Sequence, residues 1–232
     1  MIFSFIIVFA SFQATLYSYW RSSCSYRVRI ALNLKGIPYE VKTVNIWKKD
    51  EHLTPEYREI NPMQQVPALR IDGRTLIDSI SIMHYLEETR PEHPLLPSDP
   101  GDRVREIISV IASGIQPLQN VAVLQLLPEE ERVQWAQRCI NKGFTALEKL
   151  LANSAGKYCF GDSISIADCC LIPQVYNARR FKVDVEKYPA IARIDKDLLS
   201  HPAFKDAHPD NQPDAVKEKH KARGRSEAIL AL

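Results

Sequence analysis

The sequence predicts an α/β unit of order βαβαββα followed by an all-helical unit. Three observations carry that expectation. Strand and helix signals alternate from about residue 15 to residue 92. The stretch 93–102 holds Pro94, Pro97, Pro100 and Gly101 and reads as a linker. Beyond it strand signals stop, and helical patterns follow at 103–126, 129–152, 165–180 and 189–200.

Each element has its own local cause. TLYSY (15–19) alternates as a short strand, and a turn at Trp20 to Ser22 leads into a helix from Ser23 to Lys35. Val28, Ala31 and Leu32 form its apolar face, and Arg27, Arg29, Asn33 and Lys35 its polar one. Gly36 caps that helix and Pro38 prevents its continuation. A second strand follows at 39–45, then a short irregular helix between 47 and 60. The segment 66–71 reads as a strand and 75–77 as its hairpin partner, because Asp72-Gly73 is a strong two-residue turn. Asp78-Ser79 opens a helix that runs to Thr89 and ends at Arg90-Pro91. A mixed sheet with helices on both faces is the economical assembly of these pieces. In the second half, Ser165 and Asp168 form a capping box that fixes a helix start.

Composition narrows the functional classes. The chain has 232 residues, 45% of them hydrophobic and 25% charged, with a formal net charge of +2. That balance gives no argument for nucleic acid or an anionic membrane as partner. The five cysteines, Cys24, Cys139, Cys159, Cys169 and Cys170, are odd in number and lack a CxxC pair. They predict neither a disulfide framework nor a zinc site, and they suit a reducing compartment, with Cys169-Cys170 filling core. Residues 1–14 are uncharged and apolar. As a helix they would reach about 21 Å, short of a bilayer core of roughly 30 Å, and no basic residue precedes Arg21 as a signal peptide would require. They read as an extension ahead of the first strand. The tail after His208 is polar and reads as loosely ordered.

Three places suit chemistry. Ser22-Ser23-Cys24-Ser25 lies between a strand end and a helix start, where unpaired N–H groups and the helix dipole favour an anion or a thiolate. By spacing alone these serines are equally helix caps. Val66-Pro67 precedes a strand; with a cis bond it would turn the Val66 backbone toward an extended peptide, whereas an ordinary trans proline has no such use. Asp78-Ser79 marks a second helix start, suited either to the head group of an amino acid or to plain capping.

The segments LYSYWRSSCSYRVRIALNLKGIPYE (16–40), NPMQQVPAL (61–69), GIQPLQN (114–120) and GDSISIADCCLIPQVYNARRF (161–181) resemble the zeta class of glutathione transferases. The resemblance extends from about residue 15 to about residue 213. It implies a thioredoxin-like glutathione-binding domain at 15–92, a linker at 93–102, an all-helical substrate domain at 103–213 and a polar tail at 214–232. It also implies a cytoplasmic homodimer that uses glutathione and no metal.

The resemblance further implies site residues. Ser22 or Ser23 would hydrogen-bond the glutathione sulfur, with Cys24 beside it but not an essential nucleophile. Val66 would pair with the cysteinyl backbone next to a cis Pro67. His52 would reach the glycine end, Asp78 and Ser79 the γ-glutamyl end, and Gln116 and Asn120 would approach from the helical domain. Arg180 would hold a substrate carboxylate. Asp78 departs from the family's usual glutamine, yet a carboxylate still accepts from an ammonium. Tyr26 stands where many members have tryptophan, a change of packing rather than chemistry. Arg27 and Arg29 do not share a helix face and are expected to form structural salt bridges.

The implied reaction is isomerisation of maleylacetoacetate to fumarylacetoacetate in phenylalanine and tyrosine breakdown. Thiolate addition makes a cis double bond single, rotation follows, and elimination restores the trans bond. The same site would also serve a general detoxifying transferase or a dehalogenase of α-halo acids. A non-catalytic protein of this fold is disfavoured by the intact SSC motif, and a redox enzyme by the missing resolving cysteine.

Overall fold

A computed structural model describes residues 14–47, 49–99 and 103–215. The remainder of the apolar extension and the tail beyond 215 lie outside the described residues. Strand β1 (Ala14–Ser18) is flanked by β2 (Tyr39–Thr43) and β3 (Ala68–Ile71), and β4 (Arg74–Ile77) closes the order β2-β1-β3-β4. The β1 and β2 strands run parallel, with Ala14 opposite Tyr39, while β3 is antiparallel to both β1 and β4. Ala14, which the sequence reading placed in the extension, is thus the first strand residue and is buried.

The period of two assigns the faces. Leu16 and its partner Leu69 point into the main core, whereas Tyr17 and its partner Ala68 point to the other side, against Tyr57. Helices α1 (Ser23–Leu34) and α3 (Ser79–Thr89) cover the first face, and α2 (Pro55–Ile60) the second. Between β3 and β4, Asp72 and Gly73 have φ of 52° and 70°, the left-handed pair that a tight hairpin requires. The two halves share one apolar cluster, which runs from Leu16 through Ile82 and Ile107 to Phe144 and Phe204.

The second half contains α4 (Val104–Ser109), α5 (Val121–Leu124), α6 (Glu129–Ser154), α7 (Ile166–Arg180), α8 (Pro189–Leu199) and α9 (Pro202–Ala207). The helix expected over 103–126 is broken. After α4 the backbone widens to a π turn at Val110–Ile115 and then tightens to a 3-10 turn at Gln116–Gln119, where Pro117 lacks an N–H. Asn120 then caps α5 by accepting from the Ala122 N–H at 3.1 Å. Gly143 of α6 permits this bulge to pack closely, since a Cβ there would sit 2.3 Å from Ile115 Cγ1.

Two further expectations are corrected. Among the described residues, Arg27 and Arg29 form no salt bridge. Helix α1 is covered by α7 and α9 as well as by the sheet, so both arginines are buried and bond to neutral oxygens. Arg29 donates to Ala207 O, Ser18 Oγ and Trp20 O at 2.9, 3.0 and 3.2 Å, and burial lowers its pKa to about 10. The start of the tail is also docked, because Asp214 accepts from the Trp20 N–H at 3.0 Å and Gln212 is buried. Among the described residues, no helix is long and apolar enough to cross a membrane.

Candidate functional site

A cavity of about 530 Å³ lies between the two halves, a size that suits a tripeptide and a small second ligand. Ser22, Ser23, Cys24, His52, Val66, Gln116, Asn120 and Arg180 all line it. Residues about 160 positions apart in sequence therefore meet in one wall.

The start of α1 forms its floor. Ser22 is the N-cap residue, and its Oγ accepts from the Ser25 N–H at 3.2 Å. The Ser22 N–H is spent on Tyr19 O at 3.0 Å. The N–H groups of Ser23 and Cys24 have no protein acceptor among the described residues, and the first turn carries no acidic residue. Two free donors and the positive end of the dipole thus face the cavity uncompensated. The Ser22 oxygen accepts the cap bond, so its hydroxyl proton remains free to donate. Cys24 is partly exposed in the same wall.

The opposite rim is the loop before β3. The Val66-Pro67 bond is cis, and Val66 has no backbone hydrogen bond among the described residues. The loop itself is held firmly: Gln65 O accepts from Tyr57 OH at 2.8 Å and from Asn61 Nδ2 at 2.6 Å. An extended peptide laid along Val66 finds one N–H and one C=O already in place. His52 stands nearby with Nδ1 unpartnered, and burial lowers its pKa below the ordinary histidine value, which favours the neutral ring.

Asp78, Ser79 and Pro67 do not line the cavity. Asp78 is exposed and caps α3, accepting from the Ile80 and Ser81 N–H groups at 3.1 and 2.9 Å. Ser79 is buried and its hydroxyl accepts from Arg27 Nη1 at 3.2 Å. Through Arg27 the head of α3 is tied to α1, one turn beyond Ser23.

The helical half supplies cations and amides. Arg180 is the last residue of α7, where the negative end of the dipole favours a cation. Burial lowers its pKa from the ordinary guanidinium value, and the like charge of Arg21 acts in the same direction. Arg21 also lines the cavity, with its guanidinium carbon 4.4 Å from the Trp20 ring centre. Sequence reading missed Arg21, although its place directly before Ser22 was the available signal. It also missed Gln119 and Asn177, which are buried polar residues in the wall. Nothing in their spacing separates them from helix surface.

The arrangement offers donors for a sulfur anion, a backbone edge for a peptide and the Arg180 cation for an acidic ligand. Comparison with known proteins agrees with that chemistry. The family model for the glutathione S-transferase N-terminal domain matches residues 21–89, and that for the C-terminal domain matches 116–194. A probable maleylacetoacetate isomerase 2 of Drosophila melanogaster is 62% identical over 210 residues, which is 89% of this chain and 92% of that protein. A bacterial maleylpyruvate isomerase, a zeta-class glutathione S-transferase in its holo form, superposes with a TM-score of 0.84 at 42% identity, covering 87% of this chain and 100% of the other. A maleylacetoacetate isomerase of Anaeromyxobacter dehalogenans, solved with glutathione in its active site, gives 0.80 at 44% identity over 88% and 98% of the two chains.

Proposed function

The chain belongs to the zeta class of the glutathione S-transferase family, and we propose that it isomerises maleylacetoacetate to fumarylacetoacetate with glutathione as its cofactor. The observation that carries this reading is the open start of α1, where two backbone N–H groups and the Ser22 hydroxyl proton face the cavity without a protein partner. Thioredoxin-like and helical halves meet around that point.

Glutathione, when bound, supplies a thiolate that adds to the substrate's cis double bond and leaves after rotation. In this reading Ser22 donates to the sulfur, and the Ser23 and Cys24 N–H groups add positive potential, so ionisation at neutral pH is favoured. Ser23 supplies a second hydroxyl. Cys24 lies beside the sulfur without taking its place. Val66 pairs with the peptide backbone, next to Pro67. His52 meets the glycine end. Asp78 and Ser79 lie outside the cavity lining, so the γ-glutamyl end would have to extend past it to the head of α3. There Asp78 Oδ1 is spent on the cap and Oδ2 would take the ammonium, with Ser79 at the adjoining carboxylate. Gln116 and Asn120 close the ligand from the helical side. Arg180 neutralises the acidic substrate, and Arg21 lines the same cavity.

The cofactor then belongs to residues 15–92 and the substrate to 103–213, in a cytoplasmic homodimer. The test is turnover of maleylacetone with and without glutathione, in the native protein and in a Ser22→Ala/Ser23→Ala variant. Glutathione-dependent isomerisation that collapses in the variant is the expected result. Conjugation of a chlorinated aromatic without any isomerisation would overturn the assignment in favour of a detoxifying transferase.

A further inference from the structure

Arg180 alone leaves the acidic end of the cavity incompletely explained, and its neighbour on α7 completes it. Asn177 sits three residues earlier, on the same helix face, and is 5% exposed. Its Oδ1 accepts from Arg180 Nη1 at 3.2 Å. The orientation of that amide follows from chemistry. A guanidinium only donates, so the atom facing it must be the oxygen. The amide nitrogen is therefore turned away from Arg180. No hydrogen bond from it to a protein acceptor is seen among the described residues, and it is not one of the fully buried unpartnered polar atoms, so it keeps some exposure. The side chain lines the cavity.

A buried amide whose oxygen is satisfied and whose nitrogen faces a ligand site is half a binding site. We propose that Asn177 both positions Arg180 and donates its Nδ2–H directly to the substrate carboxylate that Arg180 holds. The proposal rests on the reading of Arg180 as a carboxylate-binding residue. The carboxylate then sits between a charged fork and a neutral amide on one rigid helix end. The flanking structure holds the pair in place. Phe181 N–H bonds to Asn177 O at 3.0 Å, and Gln137 Nε2 reaches Phe181 O at 2.8 Å, which ties this helix end to α6. Asn177 thus discriminates acidic from uncharged electrophiles. A neutral substrate leaves the amide donor and the guanidinium unmatched.

The experiment is a double-mutant cycle on the full chain, using Asn177→Ala, Arg180→Ala and the double variant. Each is assayed for maleylacetone isomerisation and for glutathione conjugation to uncharged chlorodinitrobenzene. Asn177→Ala is expected to lower kcat/KM for the acid by about tenfold or more, mainly through KM, and conjugation should stay within about twofold. In the Arg180→Ala background the asparagine change should still cost about threefold, because a contact with substrate survives loss of the residue it positions. No acid-specific effect of Asn177→Ala beside a damaged Arg180→Ala overturns the proposal alone. An effect that vanishes in the Arg180→Ala background overturns the direct contact. If neither single change affects the acid, the Arg180 reading itself fails. Should Asn177→Ala not fold, as judged by lost conjugation, the isosteric Asn177→Asp replaces it. The carboxylate introduced there would still accept from Arg180 but would meet the substrate with an anion, so undiminished acid turnover in that variant also overturns the proposal.

Discussion

The starts of α1 and α7 use the same spacing and end in opposite states. In α1 the cap is Ser22 and the third residue beyond it is Ser25; in α7 these places are Ser165 and Asp168. Asp168 is fully buried and accepts from Ser165 N–H and Oγ–H at 2.8 and 2.9 Å, and from Cys159 N–H at 2.9 Å. Burial raises its pKa while these hydrogen bonds oppose the rise. The α7 end is thereby closed by the chain's own carboxylate. The α1 end has no acidic residue and leaves the Ser23 and Cys24 donors facing a cavity. The carboxylate leaves the α7 start no need of a ligand, whereas the α1 start offers its donors and positive dipole end to an anion in the cavity.

The largest expected effect lies at the closed end. Asp168→Ala orphans three buried donors and should cost about 3–5 kcal/mol of stability, read as a lowered denaturation midpoint. Any surviving folded fraction should still bind glutathione, because the open end is untouched. Next, Ser22→Ala/Ser23→Ala should lower kcat by about a hundred- to a thousandfold while the unfolding free energy falls by no more than about 2 kcal/mol. Equal losses of stability at both ends would erase the contrast. Ser25→Asp copies the α7 arrangement into α1 and places a negative charge where the donors point. Its glutathione-dependent turnover should fall by about 1–2 kcal/mol in activation terms. Unchanged turnover would mean that the open end is not what ionises the thiol. The smallest effect is chemical rather than energetic. Burial pushes the Cys159, Cys169 and Cys170 thiols up, Cys170 to about 12; it also raises Cys139, but Cys139 and Cys24 are partly exposed while the other three are buried. A thiol reagent should label Cys24 and Cys139 in the native protein and the other three only after denaturation. Glutathione should protect Cys24 and leave Cys139 reactive.

The sequence announced the features that rest on local chemistry. The hairpin at Asp72-Gly73, the stop at Gly36 and the Ser165–Asp168 box each depend on a few adjacent residues. Features set by distant packing were not legible. Arg27 and Arg29 look like a helix surface until α7 and α9 cover it, and then they need neutral acceptors rather than carboxylates. The bulge over Val110–Ile115 depends on Gly143, which lies more than one element away. The short α9 offers too few residues for a periodic signal, yet its carbonyls hold Tyr26, Arg29 and Asn33 of α1. Within the site, the SSC start and Arg180 were legible through a family pattern. Arg21 and Asn177 emerged only when the two halves were seen to share one cavity.

In the proposed function the open α1 start acts on one group above all, the thiol of bound glutathione. Its ionisation can be followed directly by thiolate ultraviolet absorption against pH, in the native protein and in Ser22→Ala/Ser23→Ala. The native complex should titrate well below the ordinary thiol value of about 8.5, and the variant should return most of the way towards it. Titration at the solution value in the native complex would contradict the claim that the open end of α1 holds a thiolate.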